Sequence, residues 1–284
     1  MALIDRTHRA FSYAELRGDG STRASIKRAL EAGVLIRARR DNYVAGTSSP
    51  RVVAAVRVGG KLDCVSLLEE LGVFVLRRGE SLHLQIPHAR RQLRSPVSRR
   101  TRLDCTAHSV VTHWRDDPSD DRTALADPTH ALAQSIRCQS TWAATATLDS
   151  ALHLGIIDTA SLADVYALLP TRLRGIRRLV NGTAESGPET IARLIAQDLG
   201  YSVALQVVLD GVGRVDLLVE GQVIVECDSR EFHGGWEAQE RDRRRDQLSA
   251  KLGYTTLRPS ARQLFSEPRL FAEALQGLLG PARH

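Results

Sequence analysis

Residues 203–228 read VALQVVLDGVGRVDLLVEGQVIVECD, and the predicted structure of the C-terminal part of the chain follows from them. Apolar residues recur at every second position from Val203 to Leu209, a pattern typical of a half-buried strand. Asp210-Gly211 is a hairpin-turn signal, so a second strand is predicted from Arg214 to Val219. After another turn, the apolar residues from Val223 to Cys227 predict a third strand.

Helical patterns flank these three strands. Pro188 suits the first position of a helix, and Glu189 to Leu199 continue that helix until Gly200. Trp236 to Leu252 forms a long charged pattern that ends at Gly253. A last strand at Tyr254 to Leu257 gives the order α-β-β-β-α-β, with a further helix near 268–279.

Carboxylates collect at the ends of the predicted strands. Glu226 and Asp228 point to the same face of the third strand because side chains alternate. Asp216 in the second strand can lie near them, and Glu189 is on the preceding helix. Such carboxylates repel one another unless a cation neutralises them. Mg²⁺, or Mn²⁺ in its place, prefers oxygen ligands and would suit this set.

A simpler interpretation of the same acids stays open on the residues alone. Acidic residues commonly flank turns, where water solvates them. The run Val-Ile-Val-Glu-Cys-Asp places two carboxylates directly after a buried-looking strand, where they are costly unless ligated or paired. This apolar context favours a metal site without excluding solvated acids.

Six spaced blocks of this region also resemble a known family. The blocks are Pro188-Glu189, Arg214–Leu217, Val225–Asp228, Phe232-His233, Arg241–Leu248, and Gly253-Tyr254 with Leu257-Arg258. Over roughly residues 185–260 they resemble an uncharacterised bacterial domain related to very-short-patch-repair endonucleases. That domain belongs to the PD-(D/E)xK nuclease superfamily.

The resemblance assigns roles to named residues. It implies that Asp216 and Glu226 bind the metal and that Glu189 lies at its rim. It makes His233 a candidate general base or phosphate contact, with a surface histidine as the alternative, and Arg245 a phosphate or acid partner. The superfamily's lysine is absent and Asp228 stands in its place. The predicted catalytic set is Glu189, Asp216, Glu226, Asp228, His233 and Arg245.

The N-terminal segment predicts two helices followed by a hairpin, which is the plan of a winged helix. Phe11 to Leu16 forms a short helical pattern, and Ser21 or Thr22 can cap a second helix that runs to about Ala32. A hairpin then spans Val34 to Val44. The segment resembles the winged helix found in front of abortive-infection type IV antitoxins.

Basic residues on this segment predict contacts with double-stranded DNA. The candidates for the groove-facing helix are Arg23, Ser25, Lys27 and Arg28, and those for wing contacts to phosphates are Arg37, Arg39 and Arg40. A winged helix used for protein contact is the alternative. The formal net charge of +6 favours a polyanionic partner. Only three of the 39 basic residues are lysine, a bias that a GC-rich genome explains better than phosphate binding.

The cysteines and histidines predict no soft-metal site. Cys64, Cys105, Cys138 and Cys227 lie far apart without a CxxC pair, and the nine histidines are equally scattered. Such spacing argues against zinc and against a disulfide framework. No apolar run approaches the roughly 20 residues of a membrane span. The first twelve residues lack a secretory signal, so a reduced, cytoplasmic protein without membrane contact is expected.

The sequence thus predicts a multidomain α+β and α/β protein. Its parts are a winged-helix DNA-binding domain (1–46), a mostly helical middle domain (47–182) and a restriction-endonuclease-like αβββαβ domain (183–284). The predicted function is a metal-dependent endonuclease for restriction, repair or phage defence. The alternative is a transcriptional regulator or antitoxin-like protein with an inactive nuclease fold. A homodimer or a partner protein stays open.

Overall fold

The computed structural model describes residues 8–118, 120, 122–227 and 236–282, which form a mixed α/β structure. The chain divides into two compact units. The first contains Met1–Gly72, Arg77–Cys138 and Ala160–Leu169; the second contains Val73–Leu76, Gln139–Thr159 and Pro170–His284. Residues of the predicted middle segment, 47–182, therefore belong to both units. No helix within the described residues is long and apolar enough to cross a membrane.

The first unit begins with two helices and a small antiparallel sheet. Its elements are β1 (Ala10–Phe11), α1 (Tyr13–Gly18), α2 (Arg23–Glu31), β2 (Leu35–Arg39) and β3 (Asn42–Ala45), with strand order β1-β3-β2. The side chain of Thr22 accepts a hydrogen bond from the backbone of Ser25 and caps α2, as the sequence predicts. The sequence pattern places Phe11 in a helix, but this residue pairs with Tyr43 in the sheet, because Ser12 caps α1 one residue later.

A second sheet lies in the rest of this unit. The elements are α3 (Pro50–Val58), β4 (Lys61–Leu62), α4 (Cys64–Glu70), β5 (Leu82–Ile86), β6 (Val110–Trp114), α5 (Pro128–Cys138) and α7 (Ser161–Ala167). Strand β4 is antiparallel to β5, and β5 is parallel to β6. The middle segment therefore contains more strand than the mostly helical prediction for it implies. Leu62, Leu84 and Ile86 are fully buried in the core that this sheet shares with α3 and α4.

The second unit has the predicted α-β-β-β-α-β order. It contains α6 (Thr141–His153), a 3-10 segment (Thr171–Arg178), α8 (Gly187–Asp198), β7 (Val203–Leu209), β8 (Gly213–Val219), β9 (Val223–Val225), α9 (Trp236–Lys251), β10 (Thr255–Leu257), α10 (Ala261–Ser266) and α11 (Pro268–Leu279). The strand order is β10-β9-β8-β7, with β10 parallel to β9 and the other pairs antiparallel. Ile191 and Ile195 of α8 share one core with Leu217 and Val219 of β8.

A buried ion pair connects α6 to α8 inside this unit. Nη2 of Arg193 lies 2.9 Å from Oδ2 of Asp149, and the two residues are 2% and 1% exposed. The hydroxyl of Thr190 and the backbone N–H of Asn181 also donate to Asp149. Nη2 of Arg193 donates in addition to the carbonyl of Leu179 at 2.7 Å. The pair thus fixes α8, the helix that carries Glu189, against its neighbours.

Candidate functional site

The register of β8 and β9 brings two predicted metal ligands together. Leu217 and Val225 form the last pair of this antiparallel ladder, and Asp216 and Glu226 are the next residues along the two chains. Opposed residues of an antiparallel pair project from the same face of a sheet. The backbone N–H of Cys227 donates to Oδ2 of Asp216 at 2.8 Å, which holds this carboxylate beside the end of β9.

Helix α9 places a positively charged side chain, Arg245, beside the two acids. Nη2 of Arg245 lies 2.8 Å from Oε1 of Glu226, and the same nitrogen donates to the carbonyl of Arg214. Its charge also favours the ionised form of Asp216. The structure therefore gathers Asp216, Glu226 and Arg245, which the family resemblance predicts to belong to one site.

Glu189 reaches the same region from the first turn of α8. Glu189 is 4% exposed. Its Oε2 accepts hydrogen bonds from the backbone N–H of Glu185 at 2.9 Å and from Nε2 of Gln206 at 2.8 Å. Gln206 lies in β7 opposite Asp216, where the ladder between β7 and β8 is interrupted. We call Glu189, Asp216 and Glu226 the acid cluster.

Sequence reasoning missed Gln206. Its φ of +51° is in the left-handed region, which non-glycine residues rarely adopt and which often marks a functional position. Its Oε1 is buried and has no hydrogen-bond partner among the described residues. No signal in the sequence separates this glutamine from an ordinary residue of a strand.

Two acids of the cluster have a raised pKa. Burial raises the pKa of Asp216, although the N–H of Cys227 and the charge of Arg245 oppose this effect. Burial also raises the pKa of Glu189, and the nearby charge of Asp216 raises it further. The ionised forms of both side chains are therefore less stable in the folded protein than in water, so an added positive charge would stabilise them.

The acid cluster fits a divalent cation of the magnesium class. Mg²⁺ keeps several water ligands and is commonly bound through one or two carboxylates. Asp216 and Glu226 supply these carboxylates, and Gln206, opposite Asp216 on β7, has a buried Oε1 without a hydrogen-bond partner among the described residues. Arg245 already pairs with Glu226, so the cation and the guanidinium would share that carboxylate.

The raised pKa of Asp216 predicts a pH-dependent stability. An acid whose pKa is higher in the folded than in the unfolded protein stabilises the folded state at low pH. This stabilisation is lost as the pH rises through the folded-state pKa. We expect Asp216→Asn, which resembles the protonated acid, to melt at a higher temperature than the wild type near pH 8 without divalent cations. The difference should shrink as the pH approaches the ordinary aspartate value of 3.8.

Thermal melts across this pH range measure the effect. Asp210→Asn, in the exposed turn between β7 and β8, is the matched control and should follow the wild type. An Asp216→Asn protein that is less stable at every pH would contradict the predicted cost of this charge.

The basic residues predicted to bind DNA differ in their environment. Five of them are exposed: Arg23, Lys27, Arg28, Arg37 and Arg40. Ser25 is a partner in the capping box of α2, because its hydroxyl accepts from the backbone of Thr22. Nη1 of Arg39 donates to the carbonyl of Val58 at 3.1 Å, and its side chain is partly buried. Ser25 and Arg39 therefore have structural partners.

Two predicted catalytic residues, Asp228 and His233, lie outside the described residues, so their roles stay predictions. Asp228 stands in the place of the missing lysine, so what replaces that lysine also stays a prediction.

A second group of side chains overturns the prediction that no soft-metal ligand set exists. Potential ligand atoms of Cys64, His83, His113 and Cys138 all lie within 4.8 Å of one another in the first unit. Short motifs such as CxxC reveal ligands from one loop, whereas these four residues come from different helices and strands. Only tertiary packing brings them together, so no signal in the sequence could have found them. We call them the Cys/His cluster.

Comparison with known proteins leaves both sites without an assignment. No protein-family model matches the chain, and no curated protein matches its sequence. The function is therefore proposed from the acid cluster and the exposed basic residues of the first unit.

Proposed function

We propose that this protein is a DNA-binding endonuclease that hydrolyses phosphodiester bonds with Mg²⁺ or Mn²⁺. The observation that carries the proposal is the acid cluster: Asp216 and Glu226 directly follow the last pair of β8 and β9, and the charge of Arg245 acts on both. The α-β-β-β-α-β order and the mixed sheet of the second unit support a PD-(D/E)xK type of core. We assign the helices and hairpin of residues 1–46 as a winged helix that binds duplex DNA.

In this proposal the residues of the acid cluster and their neighbours have separate roles. Asp216 and Glu226 hold the cation, which supplies positive charge near the scissile phosphate and makes water more acidic. Arg245 contacts a phosphate oxygen with the guanidinium nitrogens that Glu226 does not engage. Gln206 positions Glu189 through its hydrogen bond at 2.8 Å. The roles of Asp228 and His233 rest on the family resemblance.

Further basic residues of the first unit support a polyanionic partner. A cavity of about 470 Å³ is lined in part by Arg39, Arg90 and Arg91. Burial lowers the pKa of Arg39, and the positive charges of Arg90 and Arg94 lower it further. Crowded cations of this kind would be relieved by an anion such as a DNA phosphate.

Incubation of the full chain with supercoiled plasmid tests the function. We expect nicked or linear DNA with Mg²⁺ or Mn²⁺ and intact plasmid with EDTA. Mismatched and modified duplexes belong in the same series, because the relatives implied by the resemblance act in repair. Intact DNA with every substrate and cation, at protein concentrations that saturate binding, would contradict the endonuclease.

A regulator with an inactive nuclease fold is the second candidate, and specific contacts favour it. Arg245 neutralises Glu226, and the N–H of Cys227 donates to Asp216, so protein groups already partner both acids. A regulator would bind a specific operator tightly without cutting it. Binding without cleavage under all cations would therefore support this candidate.

DNA affinity should depend strongly on salt. The slope of log affinity against log salt concentration becomes shallower by about 0.9 for every phosphate that the protein no longer neutralises. We expect Arg40→Ala and Arg28→Ala each to lower the slope by about one, measured by fluorescence anisotropy with a labelled duplex. Arg172→Ala, an exposed arginine of the 3-10 segment, is the matched control. Equal slopes for the wild type and both variants would remove residues 1–46 from the DNA interface.

A further inference from the structure

We propose that Cys64, His83, His113 and Cys138 bind one zinc ion as a closed, structural site in the first unit. The site shares no residue with the acid cluster and does not depend on the proposed function. Two thiolates and two imidazoles are a ligand set typical of structural zinc, which takes four protein ligands in a tetrahedron.

The distances within the cluster are close to those of a tetrahedral site. Zinc bonds of about 2.0–2.1 Å to nitrogen and about 2.3 Å to sulfur place neighbouring ligand atoms about 3.3–3.8 Å apart. Nδ1 of His83 lies 3.1 Å from Nε2 of His113, and Sγ of Cys138 lies 4.0 Å from the same Nε2. These two separations differ from the tetrahedral values by less than about half an ångström, and all four ligand atoms lie within 4.8 Å of one another.

The backbone aims the ligands at a common point. His83 in β5 and His113 in β6 lie on the same face, since His83 pairs with Val111 and Gln85 pairs with His113 in this parallel pair. Cys64 begins α4 and has a φ of +52°, a left-handed conformation that is unfavourable for a non-glycine residue. Backbone strain of this kind clusters at ligand sites. Cys138 ends α5, which packs against α4.

Residues next to the ligands hold the ligand-bearing segments in position. Asp63, which precedes Cys64, is fully buried and forms a two-pronged ion pair with Arg115 at 2.6 and 2.7 Å. Arg115 stands two residues after His113, so this pair fixes two ligand-bearing segments together. The hydroxyl of Ser66 accepts from the backbone N–H of His83 at 2.9 Å. Partners of this kind orient the ligands in metal sites.

A further polar group contacts one of the thiols. Nε2 of Gln134, which precedes Cys138 by about one turn of α5, lies 3.5 Å from Sγ of Cys138. Zinc binds cysteine as the thiolate, and an amide N–H donor beside the sulfur stabilises that form.

Bound zinc would connect four elements that are distant in sequence. The ligands come from the start of α4, from β5, from β6 and from the end of α5. Because all four coordination positions are filled by protein, the expected role is stabilisation of the first unit rather than chemistry.

Metal analysis of the full chain, expressed without a histidine tag and purified without chelator, tests the proposal. We expect about one zinc per chain, falling to about a tenth or less in Cys138→Ala and His113→Ala. Cys138 is exposed, so Cys138→Ala leaves the core intact. Cys105→Ala, an exposed cysteine of the same unit outside the cluster, should keep its zinc.

Cobalt substitution gives a second readout that does not depend on yield or folding of a variant. The apo wild type titrated with Co²⁺ should develop the intense visible absorption of a tetrahedral thiolate site, and added zinc should abolish it. Equal zinc content in Cys138→Ala and Cys105→Ala, or a cobalt spectrum of octahedral type, would overturn the proposal. A Cys64–Cys138 disulfide in protein purified under reducing conditions would overturn it too.

Discussion

Asp216→Asn is expected to abolish cation-dependent DNA cleavage while the protein stays folded. Asp216 is the carboxylate that the register of β8 and β9 places beside Glu226, and both are proposed to hold the cation. A bound cation stabilises the transition state of phosphodiester hydrolysis by several kcal/mol. Loss of one ligand should therefore reduce the single-turnover cleavage rate by at least about 10²-fold, since 1.36 kcal/mol corresponds to tenfold.

The control for this prediction comes from the neighbouring turn. Asp210→Asn removes the same charge from an exposed position six residues earlier and should cleave like the wild type. The expected higher melting temperature of Asp216→Asn near pH 8 separates loss of chemistry from loss of structure. A variant that keeps wild-type cleavage would exclude Asp216 from the catalytic machinery.

Arg193→Met is expected to destabilise the second unit more than any surface substitution. Arg193 neutralises Asp149 in the core, and removal of one partner leaves a buried charge without compensation. Breaking such a pair typically costs about 3–5 kcal/mol, while methionine keeps most of the apolar side-chain volume. Urea denaturation should show a lower midpoint for the transition that reports on this unit.

An exposed arginine of the same unit provides the comparison. Arg172→Met lies in the 3-10 segment, and its free energy of unfolding should change by less than about 0.5 kcal/mol. Equal midpoints for Arg193→Met and the wild type would contradict the stabilising role of the ion pair with Asp149. They would also count against a role for this pair in holding α8 and Glu189 in place.

The elements of the second unit could be predicted because local signals agree there. Alternating apolar residues and the turn at Asp210-Gly211 define β7 and β8, and Pro188 marks the start of α8. Local signals do not reveal β6, whose residues Val110–Trp114 include a threonine and a histidine and do not alternate. Its pairing with β5 depends on a parallel crossover, which no local pattern encodes.

Some residues of the candidate sites could likewise be predicted from the sequence, and others could not. Asp216 and Glu226 could be selected from the sequence because Asp216 lies within a predicted apolar strand and Glu226 directly follows one, and Arg245 through the family resemblance. Gln206 could not, because its importance lies in a left-handed backbone and a hydrogen bond to Glu189. The Cys/His cluster could not, because its four ligands are brought together only by packing of α4, α5, β5 and β6.

Binding of Mn²⁺ to the full chain tests the central proposal most directly, because it does not depend on finding the right DNA. One equivalent of zinc is first added to fill the Cys/His cluster without leaving free zinc for the acid cluster, and free Mn²⁺ is then measured by electron paramagnetic resonance. We expect one Mn²⁺ site in the wild type and in Asp210→Asn, and its loss in Asp216→Asn and Glu226→Gln. Identical titrations for all four proteins, or no binding by the wild type, would contradict a shared cation at positions 216 and 226.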